Sequence, residues 1–156
     1  DLKKIIKVKS SIVRAIPLPP ISIMKGPIPI YPTNKKVQSF FNKIGKCFEI
    51  KNEKSSLNYW STSSLMAPYY EMLNTTSKWL QKKGIKKIES QIYVTSLFSA
   101  LSENALTNAK KDLKILIKKS QTPNGLNEQS LKYLIKSGFY KKLDNSLSNI
   151  LKRLNL

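Results

Sequence analysis

The sequence contains no histidine and a single cysteine, Cys47. The Ser-His and Cys-His arrangements of nucleophilic catalysis are therefore excluded. One thiol with only carboxylates to help it makes a poor zinc-ligand set, so no metal site is expected. A lone thiol cannot close an internal disulfide, which points to a reducing, cytoplasmic compartment, and Cys47 in "KIGKCFEI" reads as a small core residue. Glycine is scarce too. The five glycines stand isolated at 26, 45, 84, 125 and 138, so the Gly-x-Gly-x-x-Gly fingerprint of a dinucleotide phosphate loop is absent. No apolar run approaches the ~20 residues of a membrane span, and no membrane partner is expected. The opening "DLKKIIKVKSSIVRAIPLPP" lacks the long apolar segment of a signal peptide and does not begin with Met. It reads as part of a longer chain, or as the ordered part of one.

What the chain has in excess is lysine. Its 28 basic residues face 9 acidic ones, for a formal net charge of +19, and all but Arg14 and Arg153 are Lys. Such a balance raises the possibility of a polyanion partner. Arginine, whose planar fork bonds bases and phosphates bidentately, is nearly missing, and the lysines are scattered singly and in pairs. A solvated lysine surface is the favoured reading, with a basic nucleic-acid-binding module as the weaker alternative. A length of 156 residues suits one ordinary domain with a usable core.

Residues 11–15, "SIVRA", read as a short buried strand. Six prolines follow within residues 17–32. They remove ladder donors and fix φ, so this stretch is expected to be irregular, with at most an edge strand at "IPIY". Val37, Phe40, Phe41 and Ile44 have helical spacing before Gly45, and "KCFEI" is a plausible strand. From about residue 53 the apolar period is helical. One segment ends at Gly84, with Pro68 as a kink or a new start. The next carries Ile88, Ile92, Thr95, Phe98 and Leu101, with Ser96, Ser99 and Ala100 offering close approach, and is expected to be central. Then come "KKDLKILIKK", a helix with Leu131, Leu134 and Ile135 stopped at Gly138, and a last helix striped by Leu143, Leu147, Ile150, Leu151 and Leu154.

"TPNG", residues 122–125, is a turn signature. Pro123 presets φ, Asn124 tolerates the bridge or left-handed region, and Gly125 is free to take either sign. Asn127 is a suitable N-cap for a helix starting at Glu128. Amides from Gly125 to Gln129 would then gather at a helix N-terminus, which favours a carboxylate or phosphate. An ordinary capped corner between helices is the competing reading.

"TPNGLNEQSLKYLIKSGFYKKLDNSLSNILKR" resembles the C-terminal signature of the pyrroline-5-carboxylate reductases, Ser/Thr-Pro-Gly-Gly-Thr-Thr followed by a helix, a Gly-Phe and a last helix. "VRAIPLPP", residues 13–20, resembles the family's Val-Arg-Ala-Met-Pro-Asn-Thr-Pro, and the two matches stand in the family's order and spacing. The resemblance implies a mainly α chain: a helical dimerisation domain of the 6-phosphogluconate dehydrogenase C-terminal kind at 53–156, preceded at 1–52 by the α/β tail of a Rossmann domain. It implies reduction of a cyclic imine carboxylate to proline with NADH or NADPH, by a homodimer whose partner supplies much of the carboxylate site. Carried over residue by residue, Pro17, Leu18 and Pro19 lie beside the nicotinamide. Thr122, Gly125, Leu126 and Asn127 surround the carboxylate, with Asn127 the candidate catalytic group.

The sequence departs from the family where Leu18 and Pro19 replace Asn and Thr, and where Leu126 and Asn127 replace the loop's Thr pair. "STSSLMAPYY" matches the family's Ser-Gly-Ser-Gly-Pro only loosely. Ser63 and Ser64 there are either substrate-facing or helix-capping. The departures mark a divergent member, and a non-catalytic helical dimerisation protein of the same descent is the alternative. The last two helices are expected to meet the partner chain, because their stripe is too apolar to leave in water.

Overall fold

A computed structural model describes residues 5, 6 and 10–155. It is 64% helical with one small three-stranded sheet, so the chain is mainly α. The described residues fall into two compact units, one within Asp1–Ser64 and Leu147–Leu156, the other Leu65–Ser146.

The first unit is built on the sheet. Strand β1 is Arg14–Ala15, β2 is Pro27–Tyr31 and β3 is Lys46–Glu49, in the order β1-β2-β3. β1 runs antiparallel to β2 with Arg14 opposite Tyr31, and β3 runs parallel to β2 with Ile28 opposite Cys47. Two expectations are corrected here. β1 is shorter than "SIVRA" and only half-buried, and "IPIY" is the central strand rather than an edge. The reason is which way the prolines face. The carbonyls of Gly26 and Ile30 accept from Lys46 and Ile50 on the β3 side, whereas the carbonyl of Pro29 accepts from Ile16 on the β1 side. Alternate residues address alternate edges, so Pro27 and Pro29 turn their missing donors toward the two-residue β1. Ile28 and Ile30 keep their donors for β3, and their side chains are fully buried, at 1% and 0% exposure.

A 3-10 turn at Pro19–Ile23 follows β1, and helix α1, Lys35–Phe41, joins β2 to β3. The side-chain oxygen of Asn34 caps α1 by accepting from Lys36 and Val37, both at 3.1 Å. Helix α2, Glu53–Ser63, packs on β2 and is capped by Asn52, which accepts from Ser55 at 2.8 Å. Cys47 is half-buried, with its Sγ donating to the Gln38 carbonyl, and desolvation raises its pKa.

The second unit centres on a hairpin of helices α3, Met66–Lys82, and α4, Lys87–Thr107. Pro68 starts α3 within its first turn, and Gly84 takes the left-handed turn between the two at φ 91. The expected packing face of α4 is corrected in part: Phe98 is half-buried and meets the Tyr69 ring of α3 edge-on, with centroids 6.1 Å apart. Ile88, Ile92 and Leu101 are exposed, as are Ser96, Ser99 and Ala100, while Ser90 and Val94 are fully buried together with Ser77 of α3. Small residues one turn apart let the two backbones approach closely, and that seam wins over the larger aliphatic stripe. Helix α5, Lys114–Lys119, and helix α6, Leu126–Lys136, follow. Helix α7, Phe139–Leu154, starts in this unit, and from Leu147 its residues belong to the first; Leu143, Leu147, Ile150, Leu151 and Leu154 are half-buried.

Candidate functional site

The corner between α5 and α6 is held by its own hydrogen bonds. The Gly125 N–H donates to the Thr122 carbonyl at 2.8 Å, closing the turn. The left-handed residue is Asn124, at φ 60, and Gly125 is extended at φ −75 and ψ 166. Glycine is required at 125 for space rather than for a positive φ. An added Cβ would collide with Thr122 Oγ1 and stand 2.9 Å from the Thr122 carbonyl oxygen. Gly125 is also the N-cap of α6, so the helix begins at Leu126 and not, as expected, at Glu128. Asn127 therefore sits inside the first turn, and its amide Nδ2 donates to the Ser120 carbonyl at 2.8 Å. It anchors the corner to the end of α5 instead of capping α6.

Three N–H groups, those of Leu126, Asn127 and Glu128, have no acceptor among the described residues. They are the orphan donors of a helix start and lie at the positive end of its dipole. The chain's own carboxylate does not take them. Glu128 Oε2 accepts from the Asn124 N–H at 2.7 Å, and Oε1 pairs with Lys132 at 2.8 Å. The Lys132 ammonium and the Asn124 N–H together lower the Glu128 pKa, so it stays ionised and largely neutralised at pH 7. The Gln129 side chain donates to the Asn124 carbonyl at 2.9 Å and completes the clamp.

The corner divides the expected site residues. Thr122 lines a depression of about 530 Å³ with Lys114, Lys118 and Glu128. Asn127 lines another, of about 420 Å³, with Leu101, Leu113, Leu116 and Leu131. Gly125 lies between them in sequence, and Leu126 is 85% exposed.

The proline motif lies in the first unit. Leu18, at the N-cap of the 3-10 turn, lines a cavity of about 340 Å³ with Pro27, Pro29, Phe48, Tyr59 and Ser63. Pro17 and Pro19 flank Leu18 in the chain but are not among the lining residues, whereas Phe48 and Tyr59 are, and motif reasoning missed both. Strand alternation in "KCFEI" was the one signal that could have placed Phe48. The Ser63 and Ser64 hydroxyls donate to the carbonyls of Trp60 and Ser61, both at 2.6 Å, so both serve the end of α2. Ser63 keeps lone pairs toward the cavity as an acceptor. Thr62 and Tyr59 also line it, the rest of the wall is apolar, and the cavity is of a size to take a flat ring.

No protein-family model and no curated protein matches the sequence. Solved structures do. A pyrroline-5-carboxylate reductase from Coxiella burnetii superposes with a TM-score of 0.78 at 17% identity, covering 90% of this chain and 55% of its own. The Plasmodium falciparum pyrroline carboxylate reductase, solved with NADP bound, gives 0.78 at 20% identity over 97% of this chain and 60% of its own. The Streptococcus pyogenes 1-pyrroline-5-carboxylate reductase gives 0.78 at 19% identity over 90% and 57%. The chain thus has the fold of pyrroline-5-carboxylate reductases, over the 55–60% of their length that it spans.

Proposed function

We propose that this chain is the substrate-binding and dimerisation part of an NAD(P)H-dependent oxidoreductase that reduces the C=N bond of a cyclic imine carboxylate, as in proline biosynthesis. The observation that carries the proposal is the corner at residues 122–128: three free amides at the start of α6, on a turn locked by four hydrogen bonds, within a fold shared with these reductases. The amides of Leu126, Asn127 and Glu128 hold the substrate carboxylate through charge-assisted hydrogen bonds. Asn127 orients the loop through Ser120, and its free amide oxygen accepts rather than gives a proton. Reduced nicotinamide, when bound, supplies the hydride. Leu18, Pro27, Pro29 and Phe48 would hold the ring against an apolar wall and exclude water from it, and Ser63 would offer an acceptor for a carboxamide N–H. The main nucleotide-binding domain belongs to sequence outside this chain, so residues 1–156 alone are expected to be inactive. The active form is a cytoplasmic homodimer that covers the exposed Tyr133 and Ile135 of α6.

The test is an assay of the full-length reductase with NADH and NADPH against several cyclic imine carboxylates, beside Asn127→Ala. Turnover in the parent and a reduced rate in the variant are expected. An unchanged rate in the variant would remove Asn127 from the site.

The engagement of the Asn127 amide by Ser120, where a proton donor would have to be free, favours one second reading: a non-catalytic helical dimerisation protein of the same descent. Restoring Thr at 126 and 127 without any gain in imine reduction would support that reading.

A further inference from the structure

The corner between α3 and α4 has the highest net positive charge of any ten-residue stretch in the second unit. Residues 78–87, "KWLQKKGIKK", carry five lysines and no acid. All five ammonium groups stand on exposed residues, and none has an acidic partner within ion-pair distance among the described residues. The helices do not explain the whole cluster. Lys82 and Lys83 suit the negative end of α3, but Lys86 and Lys87 stand at the positive end of α4, where a cation is unfavourable.

Large apolar side chains share this corner. Trp79 is 58% exposed, Ile85 38% and Ile88 72%. The Lys83 ammonium lies 5.7 Å from the Trp79 ring centroid, which places the charge and the indole side by side. None of these residues is among the fully buried ones of the seam formed by Ser77, Ser90 and Val94, and Ile88 lines a shallow depression with Lys86, Lys87, Glu89, Ile92 and Tyr93.

We propose that the α3–α4 corner docks on an anionic lipid surface, with Lys78, Lys82, Lys83, Lys86 and Lys87 among the headgroups and Trp79, Ile85 and Ile88 entering the interfacial layer. Charge complementarity supplies the attraction, and an indole beside aliphatic tips supplies the apolar contact that an interface accepts. Nucleic acid is less well matched. The corner has no arginine to fork onto phosphates or bases, and two of its three exposed apolar side chains are aliphatic and cannot stack. No helix among the described residues is long and apolar enough to cross a membrane, so the contact is peripheral.

The experiment is vesicle co-sedimentation of the chain with phosphatidylcholine alone and with phosphatidylserine added, at low and at physiological salt. Binding is expected only with phosphatidylserine and should weaken with salt. Each lysine near the surface is worth about fivefold in partitioning, so Lys82, Lys83, Lys86 and Lys87 changed together to Gln should cost about 600-fold. A charge-matched control, with Lys35, Lys36, Lys43 and Lys51 changed to Gln, should lose far less. Trp79→Ser with Ile88→Ser keeps the charge and should cost about tenfold. No binding to phosphatidylserine vesicles at low salt would overturn the proposal. So would an equal loss in the control, which would mean that only net charge matters. Displacement by single-stranded RNA, with no effect of the Trp79 and Ile88 changes, would assign the corner to nucleic acid instead.

Discussion

Replacing Gly125 by Ala is the sharpest perturbation the corner offers. At φ −75 an alanine costs nothing in backbone conformation, so any effect is steric. The added Cβ meets Thr122 at three atoms: Oγ1, which collides, the carbonyl oxygen at 2.9 Å and Cβ at 3.3 Å. Rotating Thr122 relieves the first contact. It cannot relieve the second, because that oxygen is the acceptor of the turn's own hydrogen bond. Opening the turn forfeits that bond, about 1 kcal/mol, and forced overpacking costs about 1–3 kcal/mol. For a chain of this length each kcal/mol lowers the melting temperature by roughly 2–4 °C. Gly125→Ala should therefore melt several degrees low. Combining it with Thr122→Ala, which removes Oγ1 and leaves the carbonyl, should recover part of the loss but not all of it. A Gly125→Ala chain that melts with the parent, or a double variant restored completely, would refute the close-approach role of Gly125.

Ile30→Ala empties a fully buried position of the central strand and should lose about 2–5 kcal/mol by urea denaturation. Glu128 has a folded pKa below its ordinary value of 4.5, so its contribution is present above that value and lost as pH falls through the folded one. An acid titration of Glu128→Gln should accordingly lack part of the parent's loss of stability below the usual carboxylate range. Glu71, lowered by hydrogen bonds from Asn74 and Thr75, should behave in the same direction when changed to Gln. Removing the exposed Arg14–Glu53 pair, 3.1 Å apart, should change stability by less than about 1 kcal/mol in a double-mutant cycle.

The helices were legible because their period and stops are local. Gly84 and Gly138 end helices at positive φ as expected, and Pro68 falls in a first turn where it is tolerated. The central place of β2 was not legible, because it depends on which edge Pro27 and Pro29 face, and that is fixed only once β1 and β3 pair. The seam of α3 and α4 was hidden for a similar reason. Its buried members, Ser77 and Ser90, are polar in a sequence scan, yet Ser90 donates to the Lys86 carbonyl of its own helix at 2.9 Å and is satisfied there. At the corner, "TPNG" announced a turn correctly. Asn124, not Gly125, took the left-handed conformation, which left Gly125 to cap α6 and freed Asn127 to reach back to Ser120. Those exchanges turn on side chains several residues apart finding each other, and spacing alone does not decide them.

The claim on which the functional reading rests is that the start of α6 holds a small carboxylate. It is tested most directly by following backbone amide chemical shifts while the protein is titrated with a cyclic imine carboxylate. The amides of Leu126, Asn127 and Glu128 are expected to move together and to saturate, and Gly125→Ala is expected to abolish the response. Saturable binding elsewhere with these three amides unmoved would contradict the account.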